Sequence, residues 1–455
     1  MSLAIFLHGF GVRYDLPISL SLYLYAAAGV VVISFVMVVI FAGDQLGERA
    51  VRYPRREAPW LAALVFNPVL RILGRVLGVA GLLAIIVTGL FGNQTDPTKN
   101  PAEYLLWIYF WAGLVILSGL VGNLWAWINP FAAIYDLVGS PRPARRLPER
   151  LGIWPAAFFY FGFACLELAS GVANRPWLIA ALSFLYAGIQ LIGMAVYGRD
   201  EWLSRCEAFS ILFSLVERFS PVEVEAGRVY LRPWGTGLLK PLRPGWDWTV
   251  FIVLTLSTLA FDGLLATPLW QQLTLWTLPV WGPFGQLGFA ILKGAGIVVL
   301  TALFLAVFSL FMRAVVYFGR GKGDPLATTT LFAQTLIPIA LVYNAAHNYS
   351  YLTVQAQGLI PLLADPFGRG WNLLPTAGYK PSFVLAGAAT VWYVQVVLIV
   401  LGHVIAVYLA HLRAGERFRS ARNVLLSQYP MLLLMVLYTM TSLWILAQPI
   451  TREAG

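Results

Sequence analysis

The sequence predicts an all-α integral membrane protein with about ten transmembrane helices. Of its 455 residues, 59% are hydrophobic and 11% are charged, whereas a soluble domain carries about 25% charged residues. The apolar residues are also gathered into ten long stretches. A helix needs about 20 apolar residues to cross the hydrocarbon core, because lipid cannot satisfy backbone polar groups. This composition excludes a soluble globule.

The ten apolar stretches define the predicted membrane spans. In chain order they are 19–42, 73–92, 104–127, 154–173, 177–197, 247–267, 286–312, 326–346, 384–410 and 425–447. The first follows a segment containing Arg13, Asp15 and Pro17, an order unlike a cleavable signal peptide, so we expect this span to stay.

The spans divide a single polytopic domain, 1–455, at its long central gap. We expect a first five-helix half at 1–197, a connector at 198–245 and a second five-helix half at 246–455. Five spans per half would give the two halves inverted topologies, as in inverted-repeat transporters. No residue-level repeat between the halves supports that symmetry.

The basic residues predict the orientation. Twenty-four of the 31 Lys and Arg residues fall in alternate gaps, six fall in the other gaps and the tails, and Lys293 lies inside a span. Cytoplasmic loops near span ends are enriched in Lys and Arg. The pattern predicts a bacterial cytoplasmic (inner) membrane protein with both termini on the outer face. Because the net charge of +10 lies in these short loops, nucleic acid is not expected as a partner, whereas the lipid bilayer is.

Three cytoplasmic segments have the pattern of interfacial helices. Residues 200–220 alternate apolar and charged positions at helical spacing, which is typical of a helix lying on the membrane surface. Residues 60–72 and 130–139 are similar, and each contains an Asn-Pro pair, a helix-start signal.

The connector also contains a predicted hairpin, and the outer gaps have their own signals. Val222–Arg232 alternates apolar and charged residues around Ala226-Gly227, which indicates a small hairpin. On the outer side, 268–285 is uncharged and rich in Trp, which suits an interfacial aromatic belt or a re-entrant loop.

Ionisable residues inside spans mark the candidate site, because they are costly in lipid and face a protein interior or a cavity. Five positions qualify: Glu167, Asp262, Lys293, His347 and His403. The predicted orientation places the first four in the outer third of the membrane. We therefore predict an outward-facing substrate or ion cavity formed by these four and completed by Asp365 on a Gly-rich outer loop. The alternative is a structural ion pair between Lys293 and either Glu167 or Asp262.

The end of the eighth span carries the densest polar pattern. Residues Asn344, His347, Asn348, Tyr351 and Gln355 recur at spacings of three and four, so they form one face if the helix continues. Pro338 precedes them and is expected to kink the span.

The sequence does not decide which cofactor, if any, the protein binds. His347, His403 and His8 are the candidate ligands for a divalent metal, with Asp262 and Glu167 as carboxylates, because imidazole and carboxylate suit zinc or similar ions. No ligand spacing on one helix supports the site. A haem between His347 and His403 would have to join two different depths, which disfavours it. A disulfide between Cys165 and Cys206, the only cysteines, is not expected.

The N-terminal decapeptide His8–Pro17, HGFGVRYDLP, resembles the start of bacterial multi-span membrane proteins catalogued as fenitrothion hydrolases. Phe261-Asp262-Gly263-Leu264, Asp365-Pro366-Phe367-Gly368 and the run from Gly402-His403-Val404 to His411 are similar in kind and order. The resemblance covers most of the chain and implies hydrolysis of an organophosphate ester, without assigning catalytic residues.

Three functional hypotheses remain open on the sequence. The first is membrane-embedded hydrolysis of an apolar phosphotriester, which the resemblance implies and for which a metal-bound hydroxide is the nucleophile that these residues offer. The second is ion-coupled transport of a small solute. The third is a membrane subunit of a larger respiratory or enzyme complex, because the cytoplasmic face has more structure than a minimal carrier requires.

Overall fold

Ten helices in the structure are long and apolar enough to cross a membrane. The computed structural model describes residues 14–16, 19–42, 54–139, 141, 143–321, 324–418, 420–448 and 451–453. Within these residues, spans 1 to 10 are Leu20–Ile40, Pro68–Phe91, Pro101–Val121, Glu149–Leu168, Pro176–Tyr197, Trp246–Leu265, Leu278–Phe318, Pro325–His347, Ala388–Arg417 and Ala421–Ala447. The ten predicted spans are confirmed, and their ends shift by eight residues or fewer.

The chain forms two compact units. Unit 1 comprises Met1–Pro54, Leu238–Ser350 and Val384–Gly455, and unit 2 comprises Arg55–Gly237 and Tyr351–Phe383. Unit 1 therefore contains spans 1 and 6–10, and unit 2 contains spans 2–5. These units reflect packing contacts, whereas the predicted halves concern topological symmetry, so the division at the central gap stays a prediction.

Among the helices of unit 1, those of span 8 show a break near its middle. The helices of unit 1 are Leu20–Ala42, Trp246–Leu265, Pro268–Trp276, Leu278–Trp281, Gly285–Phe318, Pro325–Ala333, Ile337–His347, Ala388–Arg417 and Ala421–Ala447. Span 8 is interrupted between Ala333 and Ile337 by a 3-10 turn, Gln334–Leu336. Pro338 lies in the first turn of the helix that follows. Proline lacks an N–H group and its ring clashes with the preceding turn, so it favours a break in the helix at this point. The expected distortion at Pro338 is confirmed.

Span 8 is also the most enclosed of the ten. In its most apolar stretch 83% of the residues are buried, against 72% in span 6 and 22% in span 1. Span 8 packs chiefly on spans 9 and 6. A helix buried all round can carry polar side chains, because neighbouring helices rather than lipid surround them. The broken span is therefore the centre of unit 1.

Span 1 covers the other side of spans 9 and 10. Its buried residues Ala27, Val31 and Phe35 recur every four positions and form one stripe. The Tyr23 ring meets Trp392 edge-to-face, with centroids 5.4 Å apart. The short strands β1 (Tyr14–Leu16) and β5 (Thr451–Glu453) pair in parallel.

The helices of unit 2 are shorter and more numerous. They are Pro59–Val65, Pro68–Phe91, Pro101–Glu103, Val115–Val121, Trp125–Ile128, Pro130–Leu137, Trp154–Leu168, Pro176–Tyr197, Arg199–Arg205, Ala208–Val216 and Leu359–Leu362, with Tyr349–Thr353 at the boundary with unit 1. Within span 3, residues Tyr104–Leu114 form a π-helix.

Both Asn-Pro signals start helices. The side-chain oxygen of Asn67 accepts hydrogen bonds from the N–H groups of Val69 and Leu70, and Asn129 caps Pro130–Leu137 in the same way. Asn67 caps span 2 itself, however. The single interfacial helix predicted at 60–72 is therefore wrong: the segment is a short helix, Pro59–Val65, followed by the first turn of the span.

The interfacial helix predicted at 200–220 is also wrong. The segment forms two helices that break at Cys206 and Glu207, and nearly every apolar side chain of Ala208–Val216 is buried against spans 3 and 4. The fully buried Glu207 causes the break. Its carboxylate accepts the N–H groups of Phe209 and Ser210, so it starts a new helix. The apolar face meets protein rather than lipid headgroups.

The predicted hairpin is confirmed, and it belongs to a larger sheet. Strands β3 (Val222–Glu225) and β4 (Arg228–Leu231) are antiparallel. The turn residues Ala226 and Gly227 both have positive φ, of 48° and 75°, as the tightest hairpin turns require. A strand that the sequence did not reveal, β2 (Arg56–Glu57), pairs with the free edge of β4.

Candidate functional site

A carboxylate–histidine pair in unit 1 forms the core of the candidate site. Asp262 lies three residues before the end of span 6, and His347 is the last residue of span 8. The imidazole Nε2 and the carboxylate Oδ2 are 2.7 Å apart, a charge-assisted hydrogen-bond distance. The Asp262 side chain is 24% exposed and that of His347 is 5% exposed. The carboxylate is thus the more accessible partner.

Aromatic and small residues hold this pair in place. The Tyr343 ring, one turn before His347, stacks on the imidazole with centroids 6.0 Å apart and planes within 14°. Gly263 allows spans 6, 8 and 10 to meet here. A Cβ on it would lie 2.5 Å from Ile445 Cγ2 and 2.6 Å from Tyr343 Oη. The Tyr343 hydroxyl is buried and has no hydrogen-bond partner within the described part of the chain.

Lys293 approaches from span 7. Its side chain is half-buried, and its ammonium lies 4.6 Å from the centre of the Phe289 ring. It is close enough to Asp262 to interact electrostatically with that carboxylate. Three of the predicted cavity residues, Asp262, Lys293 and His347, are therefore brought together. The bonded partner of Asp262 in the structure is His347, where the sequence alternative had paired Lys293 with a carboxylate.

The polar face predicted to run from Asn344 to Gln355 ends at Asn348. Asn348 bonds back to Asn344, with 2.7 Å between its Nδ2 and the Asn344 side-chain oxygen. Tyr351 and Gln355 lie on separate short helical elements, because the α-helix ends at His347. The predicted face is thus shortened to Asn344, His347 and Asn348.

Span 9 contributes a second row of buried polar groups. The Gln395 amide donates to the backbone carbonyl of Ala346, at 3.1 Å, which joins span 9 to the end of span 8. Further along span 9, His403 is fully buried, and its Nδ1 lies 2.8 Å from the carbonyl oxygen of Ile399. Because a carbonyl only accepts, Nδ1 carries the proton and Nε2 is a bare acceptor. That Nε2 has no partner among the described residues.

The remaining predicted residues are placed as follows. Glu167 and Asp365 belong to unit 2, and His8 lies outside the described residues. Glu167 is half-buried near the end of span 4. The Asp365 carboxylate accepts the N–H groups of Arg369 and Gly370, at 2.8 and 2.7 Å. Desolvation, which raises its pKa, is outweighed by these backbone hydrogen bonds, so the pKa of Asp365 is lowered. Asp365 thereby stabilises the turn of its own loop.

The donor set offers two ligands to a metal. Asp262 and His347 are adjacent, but within the described residues no group of three His, Cys, Asp or Glu side chains is placed to hold a metal ion. Zinc sites normally use at least three protein ligands. Of the predicted metal candidates, His347 and His403 are not part of such a group, and His8 lies outside the described residues.

Two site features escaped the sequence analysis. Tyr343 precedes His347 by four residues and so shares its helix face, a signal that the sequence does contain. The buried Glu207 of unit 2 could not be distinguished from the other charges of its segment. Comparison with protein-family models, with curated proteins and with solved structures finds no match to this chain.

Proposed function

We propose that this chain is an ion-coupled transporter of a small solute, and that Asp262 and His347 bind the coupling proton. The observation that supports this function is the pair of a buried His347 and a partly exposed Asp262 at the end of a broken, central span. Ionisable residues inside membranes commonly serve ion or proton pathways. Transporters typically build their sites on discontinuous helices.

The pair offers a direct way to couple proton binding to movement. The charge-assisted bond between Asp262 and His347 joins span 6 to span 8. A proton reaching the more accessible Asp262 neutralises the carboxylate and weakens that bond, since hydrogen bonds between charged groups are about twice as strong as neutral ones. Spans 6 and 8 are then free to separate at this end.

The orientation belongs to the same proposal. An even number of spans puts both termini on one side, and the pairing of β1 with β5 supports this. The excess of basic residues in alternate gaps supports the outer face of a bacterial cytoplasmic membrane. The site would then lie in the outer third of the bilayer.

A hydrolase, which the resemblance to fenitrothion hydrolases implies, is the second candidate. An Asp–His pair can orient a general base that activates water. In such a pair the imidazole must reach the substrate, yet His347 is the more buried partner, 5% exposed against 24% for Asp262. The accessibility therefore favours proton binding over base catalysis. The complex-subunit hypothesis stays a prediction from sequence.

Distance measurements test the transporter proposal without knowledge of the solute. Spin labels at Ala266 and Tyr349, in a background without Cys165 and Cys206, report the separation of spans 6 and 8 in proteoliposomes. We expect two populations whose ratio depends on pH, and Asp262→Asn should give one population at every pH. Asp200→Asn, which alters a carboxylate that is 92% exposed, is the control and should resemble the parent. Equal pH responses of the parent and Asp262→Asn would refute the proton-coupled mechanism.

Activity assays then separate the two candidates. Solute-evoked proton currents from a panel of small solutes should disappear in Asp262→Asn and His347→Gln. Turnover of a chromogenic phosphotriester that needs His347, without any proton current, would instead establish the hydrolase.

A further inference from the structure

Unit 2 contains an apolar cavity that the proposed transport site does not use. Its volume is about 400 Å³, and spans 2 to 5 and the buried helix Ala208–Val216 line it. This volume lies within the range of about 300–1,000 Å³ that is typical of small-molecule sites. Aromatic rings dominate the wall: the Phe209 ring meets Phe110 and Phe163 edge-to-face, at centroid distances of 4.8 and 5.1 Å.

The mouth of the cavity opens toward lipid. Leu77, Phe158 and Leu185 line it and are 67%, 71% and 57% exposed. All three lie on membrane spans, so hydrocarbon rather than water is the medium outside. A molecule entering by this route must be soluble in the bilayer.

One wall is a π-helix. Residues Tyr104–Leu114 contribute Trp107 and Phe110 to the lining. A π-helix is rare and is frequently found at functional sites. The indole Nε1 of Trp107 is buried and has no hydrogen-bond partner among the described residues. That nitrogen has almost no accessible surface, so the indole ring, rather than its N–H group, forms this part of the cavity wall.

The electrostatics of the wall exclude an anionic ligand. Trp125, Tyr186 and Phe209 line the cavity, and all three also donate hydrogen bonds to the buried carboxylate of Glu207. That carboxylate places a negative charge directly behind the wall. An uncharged ligand avoids the repulsion.

We infer that this cavity binds an uncharged, lipid-soluble aromatic molecule that enters from the bilayer and packs against the aromatic wall. The site is separate from the Asp262–His347 pair, so its test does not depend on the transport proposal.

Benzophenone is a suitable probe, because it is apolar, aromatic, has one carbonyl oxygen and crosslinks to nearby C–H bonds on irradiation. The full chain in nanodiscs is irradiated with increasing benzophenone, and the labelled peptides are mapped by mass spectrometry. We expect saturable labelling concentrated in Tyr104–Leu114 and in the facing parts of spans 4 and 5.

The glycines of unit 2 provide matched variants. Gly81 and Gly162 line the cavity, and a Cβ on either meets no atom within 4 Å, so Gly162→Leu fills the space without a clash. Gly188 is equally open but lies outside the lining. We expect Gly162→Leu to lower labelling about tenfold and Gly188→Leu to leave it unchanged.

Two results would overturn the inference. Labelling that rises linearly with concentration, and that is equal in Gly162→Leu and Gly188→Leu, would show partition onto the lipid-facing surface alone. Saturable labelling that is as strong in Gly162→Leu as in the parent would place the bound probe outside this cavity. Thermal unfolding of each variant in the same nanodiscs establishes that a lost signal does not come from misfolding.

Discussion

The carboxylate of Glu207 should be among the most sensitive positions in unit 2. It is fully buried and accepts four hydrogen bonds: from Trp125 Nε1 at 3.1 Å, the Tyr186 hydroxyl at 2.7 Å, the Phe209 N–H at 3.0 Å and the Ser210 N–H at 2.6 Å. Glu207→Gln replaces one acceptor oxygen by a donor and removes the charge. At least one N–H donor is then left unpaired and the other bonds weaken. Each hydrogen bond to a charged group contributes about 1.5–3 kcal/mol to stability. We therefore expect Glu207→Gln to lower the free energy of unfolding by about 3–5 kcal/mol.

The neighbouring cysteine offers an assay. Cys206 is fully buried, and this burial raises the pKa of its thiol to about 11. Because the thiolate is the reactive form, alkylation in the folded state is slow and reports local opening. With Cys165 replaced by alanine, Cys206 is the only thiol. The expected destabilisation corresponds to alkylation by iodoacetamide that is about 10²–10⁴ times faster.

The control is again Asp200→Asn, since an exposed ion pair contributes about 0–1 kcal/mol. Its alkylation rate should stay within about fivefold of the parent. If Glu207→Gln were alkylated no faster than Asp200→Asn, the four hydrogen bonds would not hold this helix start, and the reasoning would fail.

Two further changes test the packing and electrostatics of each unit. Burial raises the pKa of Glu217 and outweighs the hydrogen bond from Asn123 and the charges of nearby arginines. The folded state therefore favours the protonated carboxyl, a stabilisation that is complete below the ordinary pKa of 4.5 and lost as the pH rises through the raised pKa. Glu217→Gln should consequently raise the Tm at pH 8 and change it little at pH 4. A larger effect of this substitution at pH 4 than at pH 8 would contradict the assignment. In unit 1, Gly263→Ala places a Cβ 2.5 Å from Ile445 and should lower the free energy of unfolding by about 1–3 kcal/mol through overpacking, which is measured as a lower Tm. The control is Gly294→Ala, whose Cβ meets no atom within 4 Å and which should leave the Tm unchanged. Equal effects of the two substitutions on the Tm would exclude the close packing at Gly263.

The spans were predictable because crossing a membrane demands only length and apolar composition, which are local properties. The ends of the spans were harder to predict. Span 2 begins at Pro68 because Asn67 caps it, and the Asn-Pro signal was visible but assigned to a separate helix. The division into two compact units depends on contacts between residues far apart in sequence, which hydropathy does not encode.

The contacts within the candidate site were likewise only partly predictable from the sequence. Asp262, Lys293 and His347 were grouped by depth alone, and the structure brings them together in unit 1. The sequence alternative paired Lys293 with either Glu167 or Asp262, whereas the hydrogen bond between Asp262 and His347 depends on tertiary packing that the sequence does not reveal. Ala208–Val216 was misassigned for a related reason: helical periodicity reveals an apolar face, but not whether lipid or protein covers it.

The position of span 1 has a consequence for biogenesis. Span 1 leaves the ribosome before spans 9 and 10, on which it packs, and span 9 begins nearly 350 residues after span 1 ends. At translation rates of about 5–20 residues per second, span 1 waits about 20–70 s for its partners. Its stripe of Ala27, Val31 and Phe35 must be covered by lipid or an insertion chaperone during that time. Quality control of span 1 therefore acts only after spans 9 and 10 have been synthesised, when these two helices cover it.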